Sequence, residues 1–170
     1  MNYVSTRGTA PTLNFCDTLL AGLANDGGLY VPQTWPTVAH GSPDASFAVR
    51  AAQILAPFIG DEIPPATLEA LCRQAYGSFR DPLVAPLREV GENRWLLELF
   101  HGPTLAFKDV ALQLIGQLFD HVLQARGERI TEITIDEKLS AERAKRPGFV
   151  GLSFPVIAGF NSNGAMPHYR

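Results

Sequence analysis

The segment His101-Gly102-Pro103-Thr104-Leu105-Ala106-Phe107-Lys108-Asp109 places a lysine where an apolar stretch gives way to a predicted helix. Burying an ammonium is costly, and desolvation or a nearby helix N-terminus favours the neutral amine. A neutral amine is what Schiff-base chemistry needs, so Lys108 is a candidate nucleophile toward an aldehyde. The plainer reading is a lysine whose stem packs on Phe107 while its head reaches water. His101 and Thr104 share the loop and could line a pocket; for His101, capping or loop bonding is an equal alternative. Ser5, Thr6 and Arg7 form a second polar group near the start, where an arginine is more often a solvated surface charge. Cys16 and Cys72 lie far apart in helical patterns and read as a pair of buried thiols. No Cys or His cluster has metal-ligand spacing, so no metal site is expected.

The elements that would position these groups follow from periodicity. Residues 12–24 read as a helix capped by Thr12 or Asn14, with Phe15, Thr18, Leu19, Gly22 and Leu23 on one face. Asn25-Asp26-Gly27-Gly28 is its expected stop. Leu29-Tyr30-Val31 is a short strand candidate, and residues 33–45 are loop. Residues 46–58 read as a helix. Pro64-Pro65-Ala66-Thr67 opens another, with Leu68, Leu71, Cys72 and Ala75 as its buried stripe and Gly77 as its stop. Trp95-Leu96-Leu97-Glu98-Leu99-Phe100 is the clearest strand and is expected to be buried. A helix over 107–125 follows, with Val110, Ala111, Leu114, Ile115, Leu118 and Val122 on one face, ending at Gly127. Strand, tight loop and helix make the opening half of a βαβ crossover. Beyond residue 131, Asp136–Arg146 reads as a short charged helix and Phe149–Phe154 as a strand.

Composition narrows the function classes. With 14 Lys and Arg against 17 Asp and Glu, the chain of 170 residues has a net charge of −3. That argues against a nucleic-acid binder. No apolar run approaches the roughly 18 residues of a membrane span, and residues 1–7 lack a signal core, so a cytoplasmic protein is expected.

The stretch HGPTLAFKDVALQL resembles the signature around the pyridoxal-phosphate lysine of threonine synthases of the bacterial and fungal type. MNYVSTRG at the start and DGGLYVP at Asp26–Pro32 are similar to two further motifs of that family, in the same order. The resemblance covers about residues 1–130. It implies an α/β fold: a small helix-rich N-terminal domain over 1–90, then over 91–130 the incomplete start of a fold type II α/β domain that uses pyridoxal 5'-phosphate. It implies conversion of O-phosphohomoserine and water to threonine and phosphate, with Lys108 carrying the cofactor and moving protons, Thr104 and His101 beside it, and Ser5, Thr6 and Arg7 near the substrate.

The pattern then breaks. The family's Gly-, Ser- and Thr-rich loop, which holds the cofactor phosphate at a helix N-terminus, has no counterpart after Arg129-Ile130-Thr131. Residues 131–170 are instead similar to a segment of aminopeptidase P, through ITEITIDEKL, GFVGLSFPVIAG and NGAMPHYR, with His168 at that family's pocket histidine. A chimeric or truncated chain is therefore expected, with weakened cofactor affinity and no turnover. The alternatives are a non-catalytic module that self-associates through the edge of strand 95–100, and a metallopeptidase fragment.

Overall fold

The computed structural model describes residues 1–38, 41–42, 44–127, 140–141 and 144. The expected strand over 149–154 and His168 lie outside these residues. Ser140, Ala141 and Ala144 are helical, inside the helix expected over 136–146. The described residues divide into two compact units: those of 1–37, 57–62 and from 119 on form one, and those of 38–56 and 63–118 the other.

The first unit is organised by a strand that periodicity alone does not reveal, β1 (Asn2–Ser5). It runs antiparallel to β2 (Leu13–Asn14) on one side and to β3 (Tyr30–Pro32) on the other, in the order β2-β1-β3. Pro32 is tolerated at the end of β3 because an edge strand has one backbone face free of the ladder. The Tyr3 side chain is buried in this unit, stacks at a tilt on Phe15 with ring centres 6.2 Å apart, and its hydroxyl donates to the Phe58 carbonyl at 2.8 Å.

The helix expected over 12–24 is shorter, α1 (Phe15–Ala21). Asn14 caps it as anticipated, its side chain accepting from the Asp17 N–H at 2.7 Å. The stop is Gly22, with φ of +69°, and not Asn25–Gly28. Gly22 can adopt that φ without a Cβ penalty, and its N–H closes on the Thr18 carbonyl. Residues 25–28 are thereby released for a different task.

In the second unit, α2 (Phe47–Ile59) begins and α3 (Pro65–Tyr76) packs. Pro65 opens α3 where its missing N–H costs nothing. Leu68, Cys72 and Ala75 are buried as the stripe predicts, and Gly77 ends the helix. Phe47 meets Tyr76 edge-on with ring centres 4.8 Å apart.

The strongest strand of the sequence is the largest correction. It is short, β5 (Arg94–Leu97), and pairs antiparallel with β4 (Leu87–Gly91) in a two-stranded hairpin. Every residue of both strands is exposed, including Trp95 at 57% and Val90 at 62%. An apolar run can signal burial only if something covers it, and a lone hairpin has nothing to offer either face.

The helix α4 (Asp109–Ala125) starts two residues later than expected. Leu114, Leu118 and Val122 are buried as anticipated, with Leu123 beside them, while Ala111 and Ile115 are exposed. Among the described residues no helix is long and apolar enough to cross a membrane.

Candidate functional site

The loop between β5 and α4 gathers three of the expected site residues in the second unit. Its first turn runs from Gly102 to Leu105, whose N–H donates to the Gly102 carbonyl at 3.1 Å. Pro103 suits the first corner of such a turn. Leu105 sits at a φ of +62°, a strained conformation for a side chain with a Cβ. Asp109 is what holds the turn. Its carboxylate, 2% exposed, accepts from the Thr104 N–H and the Thr104 hydroxyl, both at 2.8 Å. Gly102 packs so closely on it that an added Cβ would lie 2.4 Å from the Asp109 Cβ.

Thr104 therefore spends both donors on Asp109 and orders the loop. His101 likewise has a local partner: its Nε2 lies 2.8 Å from a Glu98 carboxylate oxygen. Glu98 in turn faces the Arg88 guanidinium at 3.7 Å, and Arg88 also reaches Asp81 at 3.2 Å. Backbone bonds fix the same stretch, with Arg80 N–H donating to the His101 carbonyl and Glu98 N–H to that of Pro86. Loop bonding, one of the two readings open for His101, is what the geometry displays.

Lys108 stands just ahead of α4, and its carbonyl accepts the N–H of Leu112 at 2.8 Å. The expectation that it lies against an apolar wall is not met: Lys108 is exposed, and so is Phe107 at 66%. The reason is local. Neighbouring residues at a helix start point in different directions, and Asp109 takes the inward one. A groove of roughly 570 Å³ in the second unit is lined by Phe47, Ile54, Leu55, Tyr76, Leu83 and Leu87 among others, and by no residue of 98–109.

One sequence feature sharpens the case for Lys108. The chain has only three lysines, and Lys138 and Lys145 both follow the matched motifs; every other side chain before residue 138 that is cationic at neutral pH is an arginine. Arginine does not lose its proton near neutral pH and cannot form a Schiff base. The cysteines offer no rival nucleophile. Burial, then Glu69, pushes the Cys72 thiol up to about 11. Burial, then the hydrogen bond and charge of Glu62, pushes Cys16, which is half-buried, up to about 11 as well.

Ser5, Thr6 and Arg7 belong to the first unit, where they serve the turn at Asp26. The Asp26 carboxylate accepts five hydrogen bonds: from the Ser5 hydroxyl at 2.7 Å, Gly28 N–H at 2.9 Å, Thr9 N–H and hydroxyl at 3.1 Å each, and Ala10 N–H at 3.0 Å. Desolvation works to raise its pKa. The bonds from Ser5, Gly28, Thr9 and Ala10 outweigh that and hold the carboxyl well below the usual carboxylate range. Thr6 accepts the Leu29 N–H at 3.0 Å on its hydroxyl, and Arg7 donates to the Asp26 carbonyl at 3.1 Å. Gly28 has no room for a side chain, since a Cβ would lie 2.3 Å from Ser5 Oγ. The two N-terminal motifs are thus halves of one polar knot. Asp26 and Asp109 are the residues that periodicity overlooked. The signal for each is a carboxylate set among Gly and Thr, which is also the ordinary composition of a turn.

Comparisons with known proteins agree with the motifs. Residues 2–76 match the family model described as threonine synthase N terminus, and residues 109–170 match that of metallopeptidase family M24. A threonine synthase of Pseudomonas aeruginosa is 52% identical over 137 residues, covering 76% of this chain and 29% of that protein. One from Saccharomyces cerevisiae is 43% identical, covering 76% of this chain and 27% of that protein. The crystal structure of PLP-bound threonine synthase from Brucella melitensis superposes with a TM-score of 0.70 at 52% identity, covering 76% of this chain and 29% of that one. The Escherichia coli threonine synthase structure gives a TM-score of 0.59 at 32% identity, with 72% and 28% covered. The chain thus spans under a third of the length of these relatives.

Proposed function

We infer that this chain, which is similar to the N-terminal part of threonine synthases over about its first 130 residues, presents Lys108 as the attachment point for pyridoxal 5'-phosphate. The observation that carries the reading is the lone lysine of that region, held at the mouth of α4 by an ordered loop inside the family motif. Residues 1–90 are read as the N-terminal domain and 91–130 as the start of the cofactor domain.

The described residues fit one end of this cofactor. The Lys108 amine suits its aldehyde. The donors that flank it do not suit its phosphate: those of Thr104 are committed to Asp109, and the nearby His101 is paired with Glu98. When bound, the cofactor ring supplies an electron sink for carbanion chemistry on an amino acid. In the reaction that the family resemblance implies, O-phosphohomoserine and water give threonine and phosphate. Lys108 Nζ would there hold the cofactor by its aldehyde and serve as the amine that moves protons on the substrate. His101 would border that space through its Glu98 partner, and Thr104 would act by shaping the loop. Ser5, Thr6 and Arg7, first read as substrate-facing, are better understood as fixing the turn at Asp26.

The chain by itself is not expected to turn over substrate. Each charge-assisted hydrogen bond to a phosphate that the described residues do not supply weakens binding by roughly 1.5–3 kcal/mol, and preorganised electrostatics supply most of the rate enhancement in such sites. Incubation with pyridoxal 5'-phosphate, reduction by borohydride and mapping by mass spectrometry should place the adduct on Lys108 in preference to Lys138 and Lys145. Equal labelling of all three would overturn the assignment. Release of threonine and phosphate from O-phosphohomoserine by the purified chain would overturn the expected inactivity.

The match of residues 109–170 to metallopeptidase family M24 favours a second reading, an aminopeptidase P-like tail. It predicts metal in the purified protein, which elemental analysis decides.

A further inference from the structure

We propose that Asp109 is a positioning residue for Lys108: its buried carboxylate ties the 104–108 loop into a closed ring and so fixes the direction in which the lysine is presented. The proposal rests on the cofactor reading above and deepens it.

The geometry sets this carboxylate apart from an ordinary helix cap. A capping side chain stands before the helix and accepts forward, from the N–H groups of the first turn. Asp109 is already the first residue of α4, and it accepts backward, from the backbone N–H and hydroxyl of Thr104, five positions upstream. What it immobilises is therefore the loop. Lys108 lies inside the ring that these two bonds close. The ring is tightened again by the Asp109 N–H, which donates to the Ala106 carbonyl at 3.0 Å.

Three further features accompany this arrangement. Gly102 leaves the space that the Asp109 side chain fills, where an added Cβ would lie 2.4 Å from both Cβ and Oδ2. Leu105 accepts a left-handed conformation within the same turn. Thr104 points both of its donors at one carboxylate that is almost wholly buried. A loop under backbone strain, closed over a buried charge, costs stability and would relax if a loose loop sufficed. The exposed lysine is the one group in the ring whose position the strain can serve.

The test uses the full chain with pyridoxal 5'-phosphate as probe, borohydride trapping, and the ratio of adduct at Lys108 to adduct at Lys138 and Lys145. Asp109→Asn keeps the size but cannot accept both Thr104 bonds at full strength. It should cut the Lys108 preference by about tenfold, the order expected for losing one charge-assisted hydrogen bond. Thr104→Ser retains both donors and should behave as the wild type. Thr104→Val removes one bond and should give an intermediate ratio. Circular dichroism and thermal melting report separately on folding. If Asp109→Asn melts like the wild type and keeps its Lys108 preference, the proposal fails while the cofactor reading stands. If Asp109→Asn does not fold, Thr104→Val decides: an unchanged ratio rejects the proposal and a reduced one supports it. A wild type without any preference rejects both.

Discussion

The segment 2–32 and the segment 87–112 are both short strands and turns built around family motifs, and they end in opposite states. In the first, the polar groups have found one another. Ser5, Thr9, Ala10 and Gly28 converge on Asp26, and β1 has neighbours on both sides. In the second, the polar groups are equally well paired through Asp109 and Glu98, but the apolar ones are not. Trp95, Leu97, Phe100, Leu105 and Phe107 are each half or more exposed. Polar satisfaction is a local matter that a turn can complete within ten or twenty residues. Burial of apolar surface needs a second layer. Residues 2–32 bury Tyr3 and Ala24 while leaving Leu23 and Leu29 exposed, and the hairpin strands bury no residue at all.

Substitutions in the two segments test this contrast. The largest effect is expected from Asp26→Ala, which removes five hydrogen bonds at once and should lower the thermal midpoint more than any other single change in either segment. The same knot gives a pH signature. Asp26 titrates lower in the folded state than in the unfolded chain, so its contribution is complete above about pH 5 and is lost as the pH falls through the ordinary carboxylate range near 4 and below. Acid unfolding curves of the wild type and Asp26→Ala should therefore converge at low pH. Curves that stay parallel would show that Asp26 is not the titrating link.

Gly102→Ala comes next. Its methyl would overlap Asp109 and should destabilise the chain by about 1–3 kcal/mol in urea unfolding. Gly28→Ala, crowding Ser5 Oγ, should cost a similar amount, and a neutral result at either glycine would mean the turn can open without penalty. Thr104→Val should cost about 1 kcal/mol, the net worth of one hydrogen bond. The smallest effect is expected where the sequence signal is strongest. Trp95→Ser and Leu97→Ser should change stability by no more than about 0.5 kcal/mol, yet reduce the binding of a hydrophobic dye and any self-association seen by sedimentation. A large loss of stability at Trp95 would show that the hairpin is covered after all.

Much of the fold was legible in the residues. The α3 stripe of Leu68, Cys72 and Ala75, the Asn14 cap and the buried line Leu114, Leu118 and Val122 follow from helical period and capping chemistry, which act over a few residues. The similarity to the N-terminal part of threonine synthases was legible from three motifs in order, and the candidate lysine from one of them. The end of α1 was misplaced because two glycine-bearing stops, at Gly22 and at Gly27, compete in the sequence. The bonds of Asp26 to Ser5 in β1 and to Thr9 and Ala10 beyond it go with the use of Gly22. For Thr104, Ser5, Thr6 and Arg7 the sequence does not separate the two roles, because polar side chains in a turn motif carry the same signature whether they bind outward or inward.

The run of α3, the Asn14 cap and the presence of one lysine before residue 138 could be read from the residues alone, because these depend on local period and on side-chain type. Tertiary structure alone decided that Asp109 turns inward while Lys108 turns out, that Ser5 and Asp26 meet across 21 positions, and that the most apolar strand lies open. Each of these is fixed by which surfaces are near enough to pair, a long-range property that no window of neighbouring residues contains.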